Sequence, residues 1–119
     1  MSATTVAFVG AMTHGCPWLL PLFAEHLSDQ EGEVLPHLYM ADVERWAERE
    51  VDRNPTKVSL ELRELLGFIE AEFVKHSNSE IAEVISASFL EHHPRLGEAG
   101  AALRGFIGPT CAARLRLIG

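Results

Sequence analysis

The side chains able to do chemistry in this chain are six histidines, two cysteines and the glutamates Glu70 and Glu91. A metal centre needs three or four donors converging on one point. His92 and His93 are adjacent, so on a helix their rings point about 100° apart and do not readily share an ion. Pro94 biases the residue before it out of the helical region, which relaxes that objection slightly. His14 and Cys16 could reach one ion, but two ligands are not a site. His26, His37 and His76 have no ligand-type residue four positions further on except glutamate. No C-x-x-C pattern occurs. The reading is no metal and no cofactor, with the histidines on the surface or capping helices.

Nucleophilic catalysis fares no better. Cys16 could be activated by a histidine, but Pro17 and its apolar surroundings favour a packed thiol. Cys111 lies near a helix start, where a thiol pKa can fall. Neither has a recognisable base beside it. Two cysteines so far apart in a cytoplasmic-type chain are ordinarily free thiols. G-x-S-x-G, H-E-x-x-H and a phosphate loop are absent. Glu70 and Glu91 fall on neighbouring helices and could share acid–base work; exposed, capping or Arg-bridging carboxylates are the commoner use. No catalytic residue is assigned, and a small metal-dependent enzyme ranks last among the readings.

The elements that position these groups are helical. The stretch Asn54 to Glu91 reads as a helical hairpin around which the rest packs. Asn54-Pro55 is a start signal. Val58, Leu62, Leu65, Leu66, Ile69 and Phe73 recur at helical spacing, with Glu61, Glu64 and Glu72 opposite. Gly67 interrupts the pattern and suggests close approach of a neighbouring helix. Ser77 and Glu80 fit a capping box for a second helix carrying Ile81, Val84, Ile85, Ser88 and Phe89 on one face, ended by Pro94. So short a link makes the pair antiparallel.

Before the hairpin, Met1–Gly15 is apolar without helical period and is expected to be an extended or flexible arm. Pro17 and Pro21 are tolerable only near a helix start, so a helix runs from Trp18 or Pro21 to about Ser28, with Trp18, Leu22, Phe23 and Leu27 inward. Leu35 to Glu50 forms the next, clustering Tyr39, Met40, Val43, Trp46, Ala47 and Val51, with Asp42, Arg45 and Arg49 in a separate row. After Pro94 the glycines leave room for a short helix near 98–104. A last helix runs to Leu117, with Cys111, Leu115 and Ile118 inward. The expected fold is all-α: one domain, a compact antiparallel bundle of about five to six helices with an extended N-terminal arm.

At 119 residues and 47% apolar content the chain can bury a real core. No run approaches the ~18–20 apolar residues of a membrane span, and no secretory signal opens it, so a cytoplasmic location with no membrane contact is expected. The net charge of −7 is uneven. Residues 1–94 carry 6 basic and 16 acidic side chains, whereas Arg95, Arg104, Arg114 and Arg116 outweigh Glu98 beyond them. An acidic body repels phosphate backbones, which argues against nucleic acid, and attracts a basic partner. Acidic charge that merely solubilises is the plain alternative.

Cys16-Pro17, Glu25-His26-Leu27, Leu35-Pro36 followed by Met40-Ala41-Asp42, Leu65 to Glu70, Phe89-Leu90-Glu91 and Phe106-Ile107-Gly108-Pro109 occur in this order. Together they resemble an uncharacterised bacterial family of small all-helical domains, often encountered as candidate immunity proteins beside polymorphic toxins. The resemblance runs from residue 16 to the end and leaves the arm outside it. It implies an immunity protein that binds and neutralises a cognate toxin by contact, without catalysis. Charge adds that a basic toxin would be captured fast. The expected contact surface is the outward acids Glu44, Glu48, Glu61, Glu64, Glu72, Glu80 and Glu83, with Trp18 or Arg45 as the energetic anchor. A structural or regulatory adaptor, which could be a homodimer, is the alternative.

Overall fold

The computed structural model describes residues 2–76 and 79–118. Its first element corrects the expected arm: Ala3–Gly15 is a helix, α1. Ser2 opens it with a reciprocal cap, its Oγ accepting from Thr5 N at 3.2 Å while Thr5 Oγ1 accepts from Ser2 N at 3.3 Å. Thr5, Phe8, Val9, Met12 and Thr13 are buried, and Cys16 continues the stripe beyond the helix. These positions have helical spacing. The opposite face is Ala3, Ala7, Gly10, Ala11 and His14, mostly small rather than polar. The stripe is therefore one of side-chain size, and it gives almost no contrast in polarity. That is why an apolar stretch without visible period folds as a helix, packed on α3 and α5.

The chain bends by 110° after α1. A single 3-10 turn, Pro17–Leu19, leads into α2, Leu20–Asp29, with both prolines at element starts. Trp18, Leu22, Phe23 and Leu27 are partly covered, as expected of an inward face. His26 is the fully buried one: its Nε2 accepts from Leu35 N at 3.1 Å and closes the loop between α2 and α3.

α3, Pro36–Arg53, buries Tyr39, Met40, Val43, Ala47 and Val51 as the period predicts, with Trp46 half-buried. α4, Leu60–Lys75, begins later than Asn54-Pro55 suggests. Its N-cap is Ser59, which accepts from Leu62 N at 3.2 Å, whereas Asn54 Oδ1 accepts from Lys57 N at 3.2 Å and holds a turn. Leu62, Leu65, Leu66, Ile69 and Phe73 are all buried. Gly67 is exposed and a Cβ there would meet nothing within 4 Å, so no neighbouring helix requires this glycine.

α5, Glu80–Val84, is capped by Ser79, whose Oγ accepts from Ile81 N at 3.2 Å; Ser77, the expected cap, lies outside the described residues. The helix then widens over Ile85–Leu90 into π geometry, with Glu91 N donating five residues back to Ser86 O at 3.0 Å. A 3-10 turn at Ala101–Gly105 buries Leu103, and α6, Pro109–Ile118, buries Cys111 and Leu115. Ile118, expected inward, is 41% exposed. Six α-helices and no strand are found among the described residues, an all-α bundle. The most extensive packing joins α3 to Ile85–Leu90 rather than α4 to α5, so α3 replaces the hairpin as the centre of the fold. No single described helix is long and apolar enough to cross a membrane.

Candidate functional site

Glu44 corrects one expectation outright. It was expected among the outward acids, but it lies on the buried side of α3 at 1% exposure. Its Oε1 is 3.7 Å from Nδ1 of His93, also buried, on the turn after Leu90. That separation is too long for a hydrogen bond. His93 Nδ1 instead donates to Phe89 O at 2.8 Å, leaving Nε2 as the ring's lone-pair nitrogen. Among the described residues, neither Glu44 oxygen nor His93 Nε2 has a hydrogen-bond partner. Burial, followed by the carboxyl of Glu48 one turn on, pushes Glu44 up to about 9, against the opposing charge of Arg45. Burial also pushes His93 down to about 4; the Phe89 carbonyl opposes this and the Arg104 charge adds to it. Both groups are neutral at pH 7. Both are sealed from solvent and present nothing to a substrate.

Glu70 is a cap acting across the fold. Its two oxygens accept from Thr110 N and Cys111 N, each at 2.9 Å, at the start of α6. Burial works to raise this carboxyl, but the N–H groups of Cys111 and Thr110 hold it below the usual carboxylate range. Gly108 makes the approach possible, because a Cβ there would come under 3.0 Å from the Glu70 side chain. Glu91 is exposed. Both cysteines are buried free thiols. Cys111 shows the reverse of the lowered pKa its position suggests: burial, then Glu70, push it up to about 12. Burial, then Glu64, raise Cys16. Among the described residues, no three His, Cys, Asp or Glu side chains are grouped to hold a metal.

Two surface grooves are formed by described residues. The first, of about 640 Å³, is lined by Trp18, Trp46, Glu50, Arg53, Lys57 and Glu61, among others. It brings the 3-10 turn before α2, the second half of α3 and the beginning of α4 together. Glu50 pairs with Arg53 at 2.7 Å, and Trp18 Nε1 is shielded with no described partner. The second groove, of about 450 Å³, is lined by Ser2 and Thr5, by Leu35 to Leu38, and by Glu80, Glu83 and Val84.

The expected contact residues are thus divided. Trp18 and Glu61 share the first groove, and Glu64 is exposed on the next turn of α4. Glu80 and Glu83 belong to the second groove. Arg45 is exposed and paired with Asp42. Glu72 is half-buried, 3.9 Å from His76 Nε2, and Glu48 is half-buried against Gly100. Trp46, Arg53 and Lys57 were not anticipated as surface contacts. The one sequence signal for Trp46 is its position at the edge of the α3 stripe, where an aromatic can be half out.

The described residues form an all-α bundle of six helices. No family model, curated protein or solved structure matches the chain.

Proposed function

We propose that this chain is a binding protein of the immunity type, which holds a basic toxin protein and neutralises it by contact. The observation that carries the reading is the groove in which Trp18 and Trp46 stand beside Glu61. Half-buried tryptophans in a concave site are the usual energetic centres of protein interfaces, because they bury large area at little entropic cost. Glu61 stands beside them, in a lining where Glu50 and Glu61 are matched by Arg53 and Lys57, so the pull on a basic partner comes from the net charge of −7 of the whole chain. The resemblance to candidate immunity proteins supplies the class of partner.

The test has two steps. The chain is used to capture a partner from its native organism, and that partner is then expressed alone and together with the chain. The expected outcome is arrested growth with the partner alone and restored growth with both. Trp18→Ala should weaken the complex by ~2 kcal/mol or more, about 30-fold. A partner harmless on its own, or still toxic when bound, would exclude the immunity reading.

A further inference from the structure

The second groove is built differently from the first and has its own ligand chemistry. Its floor is closed and mostly apolar: Pro36 of α3 and Val84 of α5 are buried there, beside Thr5 of α1. Its rim is open, with Leu38 50% exposed and Glu80 and Glu83 both exposed. The two glutamates are three residues apart on α5 and therefore lie on one face. Glu80 accepts a hydrogen bond from Ser2 Oγ, and among the described residues no Lys or Arg pairs with either acid. His37, also on the rim, is anchored through Nδ1 to Ser88 Oγ at 2.5 Å. Ser88 belongs to the π segment, a geometry that recurs at functional sites.

The volume of about 450 Å³ is within the ~300–1,000 Å³ range of small-molecule sites. An apolar floor under two carboxylates excludes an anion and rewards a molecule with an apolar body and one cationic end. Charge-assisted hydrogen bonds from an ammonium to a carboxylate are the strong kind. We propose that this groove binds a small organic cation, a primary ammonium on an alkyl body. The ammonium sits between Glu80 and Glu83, and the alkyl chain lies over Pro36 and Val84 with Leu38 closing one side. The site is separate from the tryptophan groove and does not depend on the partner proposed for it.

The test is a titration of the isotope-labelled chain, followed by backbone NMR shifts, with hexylammonium, hexanol and hexanoate as probes. Hexylammonium should give saturable shifts at residues 2–5, 35–38 and 80–84. Hexanol should bind roughly tenfold more weakly and hexanoate not measurably. Glu80→Gln with Glu83→Gln should weaken hexylammonium by about tenfold or more. Leu38→Ala, at an exposed position, should weaken it less, and it keeps the question answerable if the double variant folds poorly. Trp18→Ala should leave the titration unaltered, which separates this site from the first groove. Hexanol binding as well as hexylammonium, hexanoate giving the same shifts, shifts centred on Glu61 instead, or unchanged affinity in both groove variants would each overturn the proposal.

Discussion

Glu44 keeps its proton at neutral pH because its carboxyl is buried and lies close to the carboxyl of Glu48. The consequence for stability has a definite sign. Glu44 starts from an ordinary value of 4.5 and reaches about 9 in the fold, so between those values the folded chain binds more protons than the unfolded one. Stability therefore falls as pH rises through that window. His93 runs oppositely: from 6.5 down to about 4, the fold binds fewer protons and stability rises with pH. The two offset each other between 4.5 and 6.5, and above 6.5 Glu44 acts alone. Urea unfolding should show stability declining from pH 6.5 to 9, by at most about 1.4 kcal/mol per pH unit for one proton. Glu44→Gln should flatten that decline. Glu70 has the other sign. Its folded value is lowered, so its contribution is present above 4.5 and is lost as pH falls through the folded value. Glu70→Gln should cost about 0.5–2 kcal/mol at neutral pH, the usual worth of a helix cap. The difference from wild type should vanish in acid.

Among the elements, α4 offers a clean comparison between a core position and a position the fold leaves free. Leu66 is 5% exposed within the central cluster, so Leu66→Ala should lower unfolding stability by ~2–5 kcal/mol. Gly67, its neighbour, points into open space, and Gly67→Ala should raise stability by about 0.5–1 kcal/mol. Equilibrium unfolding of the two variants checks both signs. A destabilising Gly67→Ala would mean that a partner or another segment approaches that face. The contrast with Gly108 is instructive. Both glycines interrupt apolar stretches, but only Gly108 faces a side chain, Glu70, that leaves no room for a Cβ.

At the scale of the whole molecule, the net charge of −7 bears on how a partner arrives. Long-range attraction changes association rates more than dissociation rates. If the partner docks at the tryptophan groove, Glu61→Lys with Glu64→Lys should slow association with the captured toxin and change dissociation less. Raising salt to 0.15 M, where the Debye length is about 8 Å, should slow the wild type as well. Reversing Glu80 and Glu83, which line the other groove, should matter less than reversing Glu61 and Glu64. Stopped-flow association rates decide this: a rate insensitive both to the Glu61 and Glu64 reversal and to salt would remove that face as the steering surface.

The sequence by itself determined α3, α4 and the buried face of α5, because there the inward and outward residues differ in polarity and the period is visible. Leu62, Leu65, Leu66, Ile69 and Phe73 are buried as that pattern requires. It did not determine α1, whose outward face is mainly Ala and Gly; a helix patterned by size looks unpatterned until its neighbours are in place. Tertiary structure alone turned Glu44 inward, since a glutamate flanking an apolar stripe can go either way until a histidine 49 positions along the chain is packed beside it. It alone joined Glu70 to the start of α6, a contact 40 residues apart that needs a glycine at the point of approach. Trp18 and Trp46 were each legible as inward-facing aromatics, and the structure leaves both half-buried. Their sharing one groove with Glu61 follows from how the turn Pro17–Leu19, α3 and the start of α4 come together. Local periodicity records which side of a helix avoids water, whereas a site is a relation between helices, and the helix crossings that create it are fixed only when the core packs.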